Sequence, residues 1–141
     1  MHTADYIDAR RQLFVFRGGD GREYLNDMHT LDIDKLTWGR PEVDGTAPLP
    51  RANHSSCVVG RTLFIFGGWD GHKRLNDVHT LDTERMVWAS PMVEGIPPSP
   101  RAGMTFTRVR DRIFLFGGSG PQAKCFNDLQ GFEALPGAAG V

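Results

Sequence analysis

The chain has 141 residues, 40% hydrophobic and 23% charged, with 17 glycines, 9 prolines and a formal net charge of -1. That length suits one domain, and that balance excludes a disordered chain. With no long basic run, the charge gives no general field to recruit nucleic acid, and no apolar run approaches the roughly 18 residues of a membrane span.

In chain order, the start MHTADYIDARRQ has no apolar core of a secretory signal. Leu13-Phe14-Val15-Phe16 is then a continuous apolar run, as expected of a strand covered on both faces. A glycine-rich stretch, Arg17 to Tyr24, leads to Leu25-Asn26-Asp27 and a third strand ending at Asp32. A fourth element surrounds Trp38, and a Pro/Gly-rich connector runs to Pro50-Arg51-Ala52. The same order then returns. Shifted by fifty, residues 13–62 match 63–112 without a gap, with about 22 of the 50 positions identical. LFVF falls on LFIF and then on IFLF at 113–116, LNDMHTLD falls on LNDVHTLD, Trp38 on Trp88, and Pro50-Arg51-Ala52 on Pro100-Arg101-Ala102. In the second copy the strands are expected at 54–59, 63–66, 77–82 and 86–93.

A unit of about fifty residues holding four short strands fits a propeller blade. The glycine after the second strand (Gly18, Gly68, Gly118), the Asn-Asp pair (Asn26-Asp27, Asn76-Asp77, Asn127-Asp128), the spaced Trp38 and Trp88, and the Pro-Arg of Arg51 and Arg101 together resemble the kelch family. The DG…LND…HTLD form is similar to multi-kelch proteins of the fungal cell-end-marker type. The resemblance implies an all-β, incomplete kelch β-propeller of about three four-stranded blades. Blade 1 takes 1–53 with an incomplete inner strand, displaced by two residues from the register of 54–62. Blade 2 takes 54–102, blade 3 takes 103–133 without its outer strand, and 134–141 is a frayed tail.

Physically, the Phe pairs 14/16, 64/66 and 114/116 are expected between blades, each contributing about 1.5–3 kcal/mol when fully buried. Trp38 and Trp88 are expected to fill the gap near the outer strands. Asn-Asp is expected to bond nearby backbone at a strand start, and Arg51 and Arg101 to brace a neighbouring carboxylate or carbonyl. Fewer than three blades leave the ends open. Three explanations stand side by side: a piece of a longer protein, pairing with itself or with further blades of another chain, or a free-standing three-blade arc.

Strands in a blade alternate in direction, so the loops from second to third strand share a face with the inter-blade connectors. That face carries Arg17, Arg22, Glu23, Tyr24, Trp69, Asp70, His72, Lys73, Arg74 and Lys124. Arg, Tyr and Trp are the types enriched at binding hot spots, and Trp69 stands where the other copies have Gly19 and Ser119. The expected function is a non-catalytic protein-binding scaffold with another protein as partner, no cofactor, and a cytoplasmic location. Cys57 and Cys125 read as free thiols of a reducing compartment. The alternative is a fragment of a metal-dependent kelch enzyme, similar to galactose oxidase or the nitrile-specifier proteins, with its active site in other blades. Against it, Glu23 and Asp27 match the start of a Glu-x3-Asp-x3-His motif, but Leu31 stands at the His position.

Overall fold

The structure is a computed structural model that describes residues 1–134. Its strands are β1 (Thr3–Ile7), β2 (Gln12–Phe16), β3 (Met28–Asp32), β4 (Thr37–Gly39), β5 (Asp44–Gly45), β6 (Ser55–Val59), β7 (Thr62–Trp69), β8 (Arg74–Asp82), β9 (Val87–Ala89), β10 (Thr105–Val109), β11 (Arg112–Phe116) and β12 (Leu129–Glu133). They form three antiparallel meanders, β1-β2-β3-β4, β6-β7-β8-β9 and β10-β11-β12. The only helical pieces described are two short 3-10 turns. The fold is all-β, with three sheets arranged as blades of an incomplete propeller.

Three features differ from the sequence expectation. The inner strand of the first blade is complete: β1 pairs with β2 from Thr3↔Phe16 to Ile7↔Gln12, as β6 pairs with β7 from Ser55↔Phe66 to Val59↔Thr62. The two-residue displacement is absorbed in the hairpin, where residues 8–11 replace the two-residue turn 60–61. The second sheet has a fifth strand. Asp44–Gly45, in the connector leaving blade 1, runs parallel to β9 at the outer edge of blade 2. A Cβ on Gly45 would lie 2.3 Å from the Trp88 carbonyl oxygen, so only glycine permits that approach. In the third blade the described residues give three strands. Of the expected frayed tail, 135–141 lie outside the described residues.

Because side chains alternate along a strand, the middle sheet faces both its neighbours. Leu63, Ile65, Leu81 and Trp88 of blade 2 pack back on Ile7, Phe14, Phe16 and Met28 of blade 1. Cys57 and Phe66 pack forward on Met104, Phe106, Ile113 and Leu115 of blade 3. Phe14, Phe16 and Phe66 are buried, Phe64 and Phe114 are half-buried, and Phe116 is 51% exposed. The two repeat tryptophans separate in the same way. Trp88 is 5% exposed, with its ring edge-on to Phe16 at 5.7 Å, whereas Trp38 is 64% exposed. Trp38 therefore does not fill an inter-blade gap: its position faces the open side of blade 1.

The inner strands stand side by side and bond to one another through side chains. Thr3 Oγ1 is 3.0 Å from His54 Nε2, Ser56 donates to Asp5, and Ser55 donates to the Met104 carbonyl. His54 is buried, its Nδ1 has no partner among the described residues, and Phe16 lies edge-on to its ring. Burial, aided by the Arg51 charge, pushes its pKa down to about 3, so the folded state holds it neutral. An unfolded His takes up its proton near pH 6.5. Between those values the unfolded chain binds more protons, so stability is fully present above about pH 6.5 and falls as the pH is lowered, by up to about 1.4 kcal/mol per pH unit. Met104 occupies the same repeat position in blade 3. Urea unfolding of His54→Met against wild type between pH 7 and pH 4 should give a flatter stability profile for the variant. Parallel profiles would contradict the neutral buried imidazole.

Candidate protein-binding face

The loops on one side of the blades are set by the blade junctions. At each junction a buried arginine enters from the linker. Arg51 Nε donates to Leu49 O, its Nη1 to Gly67 O and to Asp77 Oδ1 (2.7 Å), and its Nη2 to Asp77 Oδ2 (2.8 Å). Arg101 does the same with Ser99 O, Gly117 O and both carboxylate oxygens of Asp128. Both arginines are 0% exposed. Their backbone amides bond back to the preceding blade, Arg51 to Leu25 O and Arg101 to Leu75 O. Each arginine thus clamps two blades. Burial raises the Asp77 carboxyl's affinity for a proton, but the Arg51 and His79 hydrogen bonds and charges outweigh it and hold the group well below the usual range. The hydrogen bonds from Arg101 and then Gln130 hold Asp128 down likewise.

The Asn-Asp pair acts at long range rather than on its own strand start. Asn26 donates to Pro48 O and Asn76 to Pro98 O, 22 residues ahead in each case, so the Asn ties down the outgoing connector while Asp77 and Asp128 receive the incoming arginine. The glycine common to all three blades lies where the linker crosses. A Cβ on Gly68 would meet Ala52 O at 2.8 Å, and one on Gly118 would meet Ala102 O at 3.0 Å. The linker backbone then pairs with the next residue, Ala52 with Trp69 and Ala102 with Ser119. Second-to-third-strand loops and connectors therefore lie together on one face.

On that face the first two loops share one architecture. Asp20 Oδ1 accepts from the Arg22 and Glu23 amides, and Asp70 Oδ1 accepts from the His72 and Lys73 amides. These amide bonds hold both carboxyls below their usual range and leave Arg22, Glu23, His72 and Lys73 exposed at the loop tips. Trp69 pairs across the strand with Arg74, whose guanidinium lies 5.1 Å from the indole ring centre while its Nε donates to Ser119 O in blade 3. Tyr24 reaches from the first loop to the second, where a Cβ on Gly71 would meet its ring at 3.1 Å. Tyr24 thus meets the loop that carries Trp69, His72, Lys73 and Arg74, while Arg22 lies at the tip of its own loop. Lys124 lies on the third loop, 5.2 Å from the Phe126 ring centre.

Arg17 leaves this set. Its Nη1 turns to Asp27 Oδ2 at 3.3 Å. In blades 2 and 3 the same position is Gly67 (φ 61°) or Gly117 (φ 71°), whereas Arg17 has no left-handed backbone. Asp27 is the counterpart of Asp77 and Asp128, and among the described residues its cationic partners are those of its own blade. Arg17, His29 (2.6 Å) and the more distant Arg40 (3.9 Å) surround its Oδ2, and its buried Oδ1 has no partner among the described residues. Burial raises the Asp27 carboxyl, but the His29 hydrogen bond, a backbone bond and the Arg17 charge together bring it below its usual value.

Sequence reasoning missed Phe126, whose ring centre lies 4.0 Å from the Arg101 guanidinium. The signal was an aromatic where the other copies have Leu25 and Leu75. It also missed a Ser-His-Asp grouping: His79 Nε2 is 2.7 Å from Asp77 Oδ2, and Ser90 Oγ is 3.2 Å from His79 Nδ1. This is a blade brace. Asp77 is already held by both arms of Arg51, and blade 1 repeats the Asp-His pair with Arg40 in place of Ser90. Among the described residues no three His, Cys, Asp or Glu side chains gather as a metal site, and no helix is long and apolar enough to cross a membrane. Both cysteines are free. Burial pushes the Cys57 thiol up to about 12, whereas Cys125 is exposed.

Comparison with known proteins agrees with this geometry. The family model for the KLHDC2/KLHL20/DRC7 Kelch-repeats domain matches residues 1–135. The chain belongs to the kelch-repeat family. Among curated relatives, host cell factor 1 of Homo sapiens is 45% identical over 53 residues, 38% of this chain and 3% of that protein. Acyl-CoA-binding domain-containing protein 4 of Arabidopsis thaliana is 39% identical over 54 residues, 38% of this chain and 8% of that protein. Dynein regulatory complex subunit 7 of Chlamydomonas reinhardtii is 45% identical over 51 residues, 36% of this chain and 4% of that protein. The matched stretches are about one blade long and cover less than a tenth of each of these relatives. Kelch-repeat domains are typically protein-interaction modules.

The position of Arg17 yields a test of its role. Arg17→Gly restores the repeat's first glycine, yet should lower stability to urea by about 1 kcal/mol, because Asp27 loses a cation. Unchanged or raised stability would contradict the assignment.

Proposed function

We propose that this chain is a non-catalytic scaffold that holds a protein partner on the face formed by its second-to-third-strand loops and connectors. The observation that carries this reading is a pair of inter-blade contacts at the second loop: Tyr24 of the first loop lies against Gly71, and Arg74, over the Trp69 ring, reaches Ser119 of blade 3. The fold does not require an aromatic at Trp69, since Gly19 and Ser119 serve in the other blades. The backbone of Trp69 is pinned at both ends, to Ala52 and to Arg74. A ring pre-positioned in this way loses little freedom on contact, the condition under which a side chain yields most binding energy. The inward turn of Asp20 and Asp70 onto their own loop amides leaves Arg22, Glu23, His72 and Lys73 outward, so the cations Arg22 and Lys73 outnumber Glu23, which suits a partner segment carrying acidic side chains.

In the experiment, the immobilised chain captures partners, and the affinity of each is measured for wild type and Trp69→Ala. Loss of an anchor should weaken binding by about 2 kcal/mol, roughly 30-fold. The melting temperature should move little, because the ring is half-exposed and its pairing with Arg74 is worth about 0.5–1 kcal/mol. Unaltered affinity with a large fall in melting temperature would assign Trp69 to its own loop and overturn the reading.

A further inference from the structure

The linker that carries Arg101 holds a serine hydroxyl that the fold does not use. Four of the five serines are hydrogen-bonded through their side chains. Ser55 bonds the Met104 carbonyl, Ser56 bonds Asp5, Ser90 bonds His79, and Ser119 bonds the Ala102 carbonyl. Ser99 lies outside that set. Its hydroxyl has no partner among the described residues, and its carbonyl accepts from Arg101 Nε. The same position in the preceding linker is Leu49, so the junction has no need of a hydroxyl there.

Ser99 is also displayed. It is exposed, and so is Pro100 after it. Leu49 is 65% exposed with a four-stranded meander on either side of its linker, so display belongs to this linker position. The backbone is pinned around it: Pro98 O accepts from Asn76, and the Arg101 amide donates to Leu75 O. Pro100 keeps Ser99 out of helical backbone, and Pro97 and Pro98 precede it. The serine is thus held extended between prolines at the surface, the form in which a kinase that reads the proline after its acceptor takes a substrate. Ser90-Pro91 has the same dipeptide and supplies a contrast. Ser90 follows directly on β9, and its Oγ lies 3.2 Å from His79 Nδ1, a bond that a phosphate there would break. Ser99 carries no such cost.

We propose that Ser99 is a phosphorylation site for a proline-directed protein kinase. Ser99 Oγ bonds to the γ-phosphorus of a nucleoside triphosphate, the bond from that phosphorus to its bridging oxygen breaks, the nucleoside diphosphate leaves, and the hydroxyl proton passes to the kinase's catalytic aspartate. The junction stays intact, because Asn76 and Arg101 hold the linker by its carbonyls and the Ser99 side chain takes no part. What changes is charge. A phosphoserine carries about −1.5 to −2 at pH 7, which outweighs the excess of Arg22 and Lys73 over Glu23 on the same loop face. On the proposed function, and resting on it, that reversal disfavours an acidic partner.

In the test, the full 141-residue chain is incubated with ATP, magnesium and a mitogen-activated protein kinase, and phosphate is mapped by mass spectrometry. A single phosphate is expected, on Ser99 and not on Ser90, with the β-sheet circular dichroism retained and the melting temperature little moved. Ser99→Ala alters a side chain without a partner, so it should fold as wild type and lose the incorporation. Ser90→Ala should keep it. A folded chain that takes up no phosphate, a phosphate that maps to Ser90, or incorporation that persists in Ser99→Ala would overturn the proposal. Mapping requires no binding partner, so this result stands or falls separately from the Trp69→Ala affinity test of the loop face.

Discussion

The buried guanidinium at each blade junction is the constraint from which the rest of the repeat follows. Arg51 and Arg101 keep their charge in any protein environment, so burying them demands fixed acceptors in a fixed plane. Asp77 and Asp128 supply the bidentate partner, and the Gly67 and Gly117 carbonyls take a further donor from the same guanidinium. Left-handed backbone at Gly67 and Gly117 accompanies that carbonyl position. The linker that carries the arginine lies so close to Gly68 and Gly118 that a side chain there is excluded. Phe16 against Trp88, and Phe66 against Phe106 and Phe132, then fill the space between sheets whose separation the clamp has set. The glycines, the Asn-Asp and the Pro-Arg are one device seen at three places in the chain.

Most of this architecture was legible in the sequence because repetition averages out local ambiguity. The strand order, the blade class and the shared glycine all follow from aligning three copies. The partners of Asn26, Asn76, Asp77 and Asp128 were not legible, since they lie 22 to 27 residues away and periodicity gives the face a side chain takes but not the distant group it meets. The parallel pairing of Asp44–Gly45 was hidden for a similar reason: two residues of connector have no pattern of their own, and only Trp88 across the gap makes the glycine necessary. The inner strand of blade 1 read as incomplete because its hairpin turn is two residues longer, which breaks the register without altering the pairing. Arg17 looked like a substitution on the binding face, and its meaning depends on Asp27, the carboxylate to which it turns.

The same frame explains how a small array can present a firm surface. The second and third loops are held on their inner side by the linker, and the first two at their tips by an aspartate bonded to loop amides. On the proposed function, Tyr24, Trp69 and Arg74 have little motion to lose on contact with a partner. Gly19, Trp69 and Ser119 share one repeat position, next to a glycine that all three blades keep (Gly18, Gly68, Gly118).

The buried arginine and its aspartate act as one unit across each junction. A double-mutant cycle with Arg51→Met and Asp77→Asn, followed by urea unfolding near neutral pH, measures that directly. Each single substitution strands the other partner, and the account predicts a coupling energy of about 2 kcal/mol between them. Losses that simply add, to within about 0.5 kcal/mol, would show that the two residues stabilise the fold independently and would contradict the account.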